Sequence, residues 1–319
     1  MKRAFTLLEL VVVIVVLGII AMMSFNAIMN IYSNYFQTKT VNELETQTEI
    51  ALEQISKRLE HRIKPSVIAR KTDGAFLALN DSGVNLDAKY EILEFIPYAY
   101  EIFNDVISLD ANDHVIEQGG KAGRYSGYVD LAKSSPATGL ISPGSNFSTE
   151  VVETIKDLTC KDDTRNDKCV DFTKKDGGVV AIFSDVYYNV QDSFGYKGDI
   201  TKLDIAKVGV KSTDGNTLEI SGFGGKQISE QYHLAYTANA IVPEQSADPK
   251  DAANGVFDLN LYYDYRPWMG QGYKNGEKAT LAKNVTRFVF TEKNGVIVLK
   301  LCMRAKNSEI TICKSKAVY

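Results

Sequence analysis

The chain has 319 residues, with 36 Lys and Arg against 40 Asp and Glu and a net charge of −4. That near-balance supplies no basic footprint and argues against nucleic acid as a partner. The length leaves room for one large domain, or two small ones, beyond the N-terminal segment.

The first thirty residues, MKRAFTLLELVVVIVVLGIIAMMSFNAIMN, set the pattern. Between Leu10 and Met23 no side chain is charged or strongly polar, and the wider apolar stretch 5–25 holds one charge, Glu9. As a helix rising ~1.5 Å per residue it is roughly 30 Å long, the hydrocarbon thickness of a bilayer. No other stretch of the sequence has that length and character. An ordinary secretory signal would show a charged start, an apolar run of ~7–15 residues and a small-residue exit site. Here the leader is Met1-Lys2-Arg3-Ala4, the small residue stands before the apolar run, and no exit site follows. A carboxylate inside a bilayer costs of order 2.5–3.5 kcal/mol, so Glu9 needs a partner or a task. The plainer alternative is a membrane anchor with Glu9 solvated at the cytoplasmic edge.

Ala4 followed by Phe5-Thr6-Leu7-Leu8-Glu9-Leu10 resembles the start of type IV pilins and pseudopilins. The resemblance implies that a prepilin peptidase cuts between Ala4 and Phe5, that the new amino terminus of Phe5 is methylated, and that Glu9 guides assembly. Many members carry glycine where this chain has Ala4, and a helix-breaking proline near the position of Asn26. With Lys2 and Arg3 removed, the natural partner of Glu9 is the α-amino group of Phe5 on a neighbouring copy. Formed away from water, that pair would set the axial register between subunits. The implied partners are the peptidase, other pilins or pseudopilins, an inner-membrane assembly platform and, before assembly, membrane lipid. The implied location is a single pass of a bacterial inner membrane with the head in the periplasm, then a periplasmic or surface filament.

Residues 31–64 extend the helix. Val41, Leu44, Thr48, Ala51, Ile55, Leu59 and Ile63 recur every three or four residues and form one apolar stripe. Glu43, Glu45, Glu49, Glu53, Lys57, Arg58 and Glu60 occupy the other side. Pro65 ends the run, because proline lacks the N–H and pushes its predecessor out of the α region. Beyond it the signals are those of strands: 76–79, then 90–103 with an interruption at Pro97 that marks an edge or a break. Residues 119–147 are rich in Gly, Ser and Pro and read as loop. Strands are expected at 179–188, 203–210 and 232–242, with a polar loop over 243–255. Residues 257–265 alternate apolar and polar, the mark of a half-buried strand. Strands at 285–291 and 296–303 flank Asn294-Gly295, a strong hairpin signal.

The four cysteines form two close pairs. Downstream of an exported segment, disulfides are the favoured reading. Counting outward from a turn near Asn307-Ser308 sets Cys302 opposite Cys313, where paired Cα atoms lie ~4.5–5.5 Å apart, inside the disulfide window. Cys160 and Cys169 bracket an acidic loop. Its alternative reading is a calcium site built from Asp162, Asp163, Asn166 and Asp167. The spacing differs from a calcium loop and Lys161, Arg165 and Lys168 intervene, so no cofactor or metal is expected.

No enzyme motif emerges. His61, His114 and His233 stand apart from any H-E-x-x-H or nucleophile pattern. Trp268, the single tryptophan, is read as covering a sheet edge, with ligand stacking or an interface as the alternative. The expected fold is α+β and pilin-like: a long N-terminal helix, apolar then amphipathic, packed on a mainly antiparallel β head. The expected divisions are 1–4 leader, 5–29 membrane or filament-core half, 30–70 amphipathic half and 71–319 head. The length and the late strand–turn–strand ending look most like the minor members related to pseudopilin J and minor pilin W. The expected role is a minor pilin or pseudopilin of a type IV pilus or type II secretion pseudopilus. The alternative is an anchored adhesin or ligand-binding module at a filament tip.

Overall fold

The computed structural model describes residues 7–80, 90–103, 108–109, 115–116, 125–147, 149–160, 169–211, 215–223, 227–306 and 308–319. Helix α1 (Leu7–Glu60) comes first. Strands β1 (Ile68–Lys71), β2 (Phe76–Ala78) and β3 (Tyr90–Phe95) follow. A small pair, β4 (Ser108–Leu109) and β5 (Val115–Ile116), precedes β6 (Leu140–Ile141) and helix α2 (Thr149–Thr159). Then come β7 (Val179–Phe183), β8 (Ala206–Val210), β9 (Thr217–Ser221) and β10 (Tyr232–Ala235). The last section holds β11 (Ala238–Gln245), the short helix α3 (Pro249–Ala253) and β12 (Phe257–Tyr265). It closes with β13 (Glu277–Lys293), β14 (Val296–Arg304) and β15 (Thr311–Val318). The fold is α+β, a long helix on a β head whose strand pairs run antiparallel.

The helix stops at Glu60, short of Lys64 and of the expected boundary at 70. The reason is tertiary. The backbone after Glu60 is taken up by the stretch following β3: Ile63 N–H donates to Ile96 O at 2.8 Å, and Tyr98 N–H to His61 O at 2.9 Å. Arg62 then fixes the helix end. Its Nη1 donates to Leu59 O at 2.8 Å and to Tyr319 O at 3.2 Å, and its Nη2 to Gly295 O at 2.9 Å. One buried guanidinium thus ties the helix terminus to the last residue and to the Asn294-Gly295 turn. Pro65 falls in the 3-10 turn Lys64–Ser66 beyond.

Eight strands make the main sheet, in the order β15-β14-β13-β12-β11-β3-β1-β2. Five make a second, in the order β10-β7-β8-β9-β6. The second sheet is inserted in sequence between β3 and β11, which are neighbours in the main sheet. The stretch 232–242, expected as one strand, belongs to both: β10 pairs with β7, and after Tyr236-Thr237 the chain enters the main sheet as β11. The break expected at Pro97 is found; β3 ends at Phe95, and Pro97 bridges to Arg62. The polar loop expected over 243–255 gives way to the end of β11 and to α3. Asn294 and Gly295 have φ of 53° and 79°, the left-handed pair that a two-residue hairpin turn requires.

Three cores follow from alternation. Leu93 and Phe95 of β3 meet Leu52, Ile55 and Leu59 of α1. Ile92 and Ile96, on the opposite face, meet Val180 and Ile182 of β7. Val179, Ala181 and Phe183 turn the other way, toward Val151 and Ile155 of α2. The layers therefore run α1, main sheet, second sheet, α2. Trp268 is the centre of the middle core, fully buried, with Nε1 donating to Gly178 O at 3.0 Å. The expectation that it covers a sheet edge is corrected: its single N–H finds a carbonyl inside, so the whole ring can be buried.

A buried ionic group crosses this middle layer. Glu94 accepts from Arg70 Nε at 2.7 Å and from the Tyr265 hydroxyl at 2.8 Å. Burial raises the Glu94 carboxyl, against the lowering pull of Arg70. A carboxyl raised by folding contributes stability below its ordinary value, and that contribution is lost as pH rises through the folded value. The stability advantage of wild type over Glu94→Gln should therefore be largest below pH 4.5 and shrink as pH rises. Denaturant titrations across that range check it; an advantage that grows with pH would contradict it. For the first core, Leu59→Ala, at a fully buried site, should cost roughly 2–5 kcal/mol of stability. Ile50→Ala, on the exposed face of the same helix, should stay within about 0.5 kcal/mol. Equal losses would mean that α1 does not dock on the sheet as described.

Candidate functional site

The site begins with what the head leaves uncovered. From residue 7 to residue 39 every side chain of α1 is exposed. Leu8 is 75% exposed, Val12 54%, Ile19 53% and Met22 70%, so the apolar surface continues round the helix. Soluble monomers rarely expose contiguous apolar patches above a few hundred Å². Among the described residues this is the one helix long and apolar enough to cross a membrane. It is a continuous helix with the docked part, so whatever covers the first half is held rigidly relative to the head. At ~1.5 Å per residue, the 54 residues of α1 span roughly 80 Å.

Glu9 lies in the first turn of α1 and is exposed. An acid there is favoured by the partial positive charge of the helix N-terminus. Ala4 and Phe5 lie outside the described residues. Gly18 is the only glycine of α1, and a Cβ at that position would meet nothing within 4 Å. A mid-helix glycine costs about 1 kcal/mol relative to alanine. The chain itself therefore offers no packing reason for Gly18, whereas close approach of a second helix would supply one.

The docked half is held by its stripe and by charge. Leu44, Thr48, Ala51, Ile55 and Leu59 are buried as the periodicity predicts. Glu45, Glu49 and Glu53 were expected simply on the solvent side. Instead they face the last strand: Lys314 Nζ lies 2.6 Å from Glu49 and 3.6 Å from Glu45, and Lys316 pairs with Glu53. The missed signal is the period of two in β15, which points Lys314 and Lys316 to the same face. Lys314 holds the Glu49 carboxyl below its ordinary value. Exposed pairs of this kind contribute little energy each and chiefly set the rotation of the helix on the sheet.

Both cysteine pairs are bonded. Cys302 is the register partner of Cys313, with Cα atoms 4.0 Å apart, as counting from the turn predicts. Cys160 is bonded to Cys169 across a Cα distance of 4.8 Å. That bond closes the segment after α2, a helix that the loop-like composition upstream conceals. The proposed calcium ligands Asp162, Asp163, Asn166 and Asp167 lie inside this closed segment and outside the described residues. Among the described residues no three His, Cys, Asp or Glu side chains come together to hold a metal. His61 stands just past the helix end, stacked on Tyr100 with ring centroids 4.1 Å apart, and His233 lies on β10 against Tyr98. His114 is outside the described residues.

Residues 1–25 match the family model described as the prokaryotic N-terminal methylation motif. That motif is the signature of type IV pilins and pseudopilins, a structural rather than enzymatic family, and the match is confined to the start of the chain. The motif and the helix together fit a membrane-anchored, single-pass protein. No curated protein and no solved structure matches the chain.

The Cys302–Cys313 bond staples the strand that bears Lys314 and Lys316. Replacing both cysteines by serine should lower stability by roughly 2–4 kcal/mol. Thermal unfolding of the double variant against wild type, without reductant, checks this; unchanged stability would mean that the bond does not form in the folded protein.

Proposed function

We propose that the chain is a minor pilin or pseudopilin, a structural subunit of a type IV pilus or a type II secretion pseudopilus. The observation that carries this reading is the wholly exposed apolar half of α1, headed by the methylation motif and rigidly continuous with a folded head. Residues 1–4 are the leader, prepilin peptidase cuts between Ala4 and Phe5, and Phe5 is N-methylated. Before assembly the helix spans the inner membrane with its head, residues 71–319, in the periplasm. In the filament the exposed half packs among other pilin helices, delivered by the inner-membrane assembly platform. Glu9 pairs there with the amino terminus of a neighbouring copy, which removes the cost of an isolated carboxylate in an apolar core. The second sheet enlarges the head, and a bulky head stacks poorly at every position of a filament. That supports a place at or near the tip.

Glu9→Ala separates assembly from processing. The variant should be cut like wild type yet disappear from sheared filaments, accumulating in the membrane fraction. Immunoblots of both fractions, against a major-subunit control, read the outcome. Wild-type incorporation of Glu9→Ala would overturn the role given to Glu9. An abundance in wild-type filaments equal to that of the major subunit would overturn the tip position.

A further inference from the structure

A cleft of about 580 Å³ lies where the chain crosses from the second sheet into the main one. The end of α1 contributes Lys57 and Arg58, and His61 follows just past it. The segment after β3 contributes Tyr98, Tyr100 and Glu101, and the crossing itself contributes Tyr236, Thr237 and Asn239. Tyr263 and Asp264 of β12 also line it.

Asn239 is the informative residue. It is 8% exposed, it lines the cleft, and its side chain makes no hydrogen bond among the described residues. Its amide opens into the cleft and offers two donors and an acceptor to whatever enters, while Oε2 of Glu101 in the same lining is buried without a hydrogen-bond partner. Around it stand aromatic groups. His61 and Tyr100 are stacked, with planes 17° apart, and the Tyr98 hydroxyl lies 3.1 Å from His61 Nδ1. Tyr100 remains 38% exposed. Burial, reinforced by Glu101, raises the Tyr100 and Tyr236 phenols, so both keep their protons as donors. Asp264 sits at φ 58°, a left-handed conformation, and is fixed by Arg266 at 2.6 Å and by Thr237 Oγ1 at 2.9 Å from its own N–H. Such backbone conformations persist where the surroundings over-determine them, and ligand sites are among those places.

We propose that this cleft binds a short saccharide. The faces of a sugar ring are apolar and stack on aromatic walls, while its hydroxyls take hydrogen bonds from an amide and give them to carboxylates. The alternatives fit less well. A purely apolar ligand would leave the Asn239 amide unpaired. A phosphorylated one could reach Lys57 and Arg58 at the rim but would leave the unpartnered Glu101 oxygen facing a like charge. An extended peptide needs a free strand edge, whereas β11 is paired on both sides, with Asn239 opposite Phe95 of β3. The inference rests on the folded head and does not depend on how the helix assembles.

The test is saturation-transfer NMR on the full chain in detergent micelles. The probes are glucose, galactose, mannose, glucosamine, N-acetylglucosamine, maltose, lactose and chitobiose. At least one should receive saturation from the protein. Its affinity should fall roughly tenfold or more in Asn239→Ala and in Tyr100→Ala, the scale of losing a buried polar or aromatic contact. It should be unchanged in Tyr187→Ala, whose ring is 83% exposed and outside the cleft. Tyr100 is exposed enough for its variant to fold, so that arm stands even if Asn239→Ala does not. No saturation of any sugar in the panel overturns the proposal. So does binding that survives Tyr100→Ala, or that Tyr187→Ala weakens equally.

Discussion

One constraint organises this molecule: a single unbroken helix is asked to be apolar on all sides at one end and on one side only at the other. The docked end satisfies its apolar stripe within the chain, against the main sheet. The other end has no cover from the head, and water is a poor solvent for it. Everything else about the helix serves that division. No proline interrupts it, the ion pairs of Glu45, Glu49 and Glu53 set its rotation, and Arg62 locks its end to the chain terminus. A rigid link of this kind transmits the position of the buried half to the head. That is the mechanical requirement for a subunit whose helix is enclosed by other helices and whose head is displayed outside.

The head is two sheets thick because the insertion between β3 and β11 folds back over the main sheet. The face of the main sheet turned away from α1 thereby becomes core, with Trp268, Tyr265 and the Glu94–Arg70 pair inside it. A buried ion pair is a weak source of stability and a strong constraint on geometry, since displacing either partner leaves an uncompensated charge. Glu94, Arg70 and Tyr265 belong to three different strands of the main sheet. Their mutual satisfaction favours one relative placement of those strands beneath the second sheet.

What was legible in the sequence was local. The apolar run with Glu9, the stripe from Leu44 to Leu59, the alternation over 257–265, Asn294-Gly295 and the spacing of Cys302 and Cys313 each carry their meaning within a few residues. What was not legible depends on distant partners. β7 is buried on both faces, so it shows no alternation and does not reveal which sheet it joins. The crossing at Tyr236-Thr237 has no breaker residue to announce it. In α2 the buried positions Val151, Ile155 and Thr159 recur every four residues, but β-branched side chains blur that helical signal. The exit from α1 at Glu60 precedes Pro65 because pairing with Ile96 and Tyr98 acts first. Asn239 reads in sequence as an ordinary strand residue; only the fold shows that it lines a cleft.

As proposed, the exposed half of the helix is matured and assembled as a pilin helix. The most direct measurement is intact mass and N-terminal sequence of the membrane-extracted protein, from cells with and without their prepilin peptidase. The expected result is a chain beginning at N-methylated Phe5 only when the peptidase is present. A chain still beginning at Met1 in both, or one cut beyond Ala21, would contradict it.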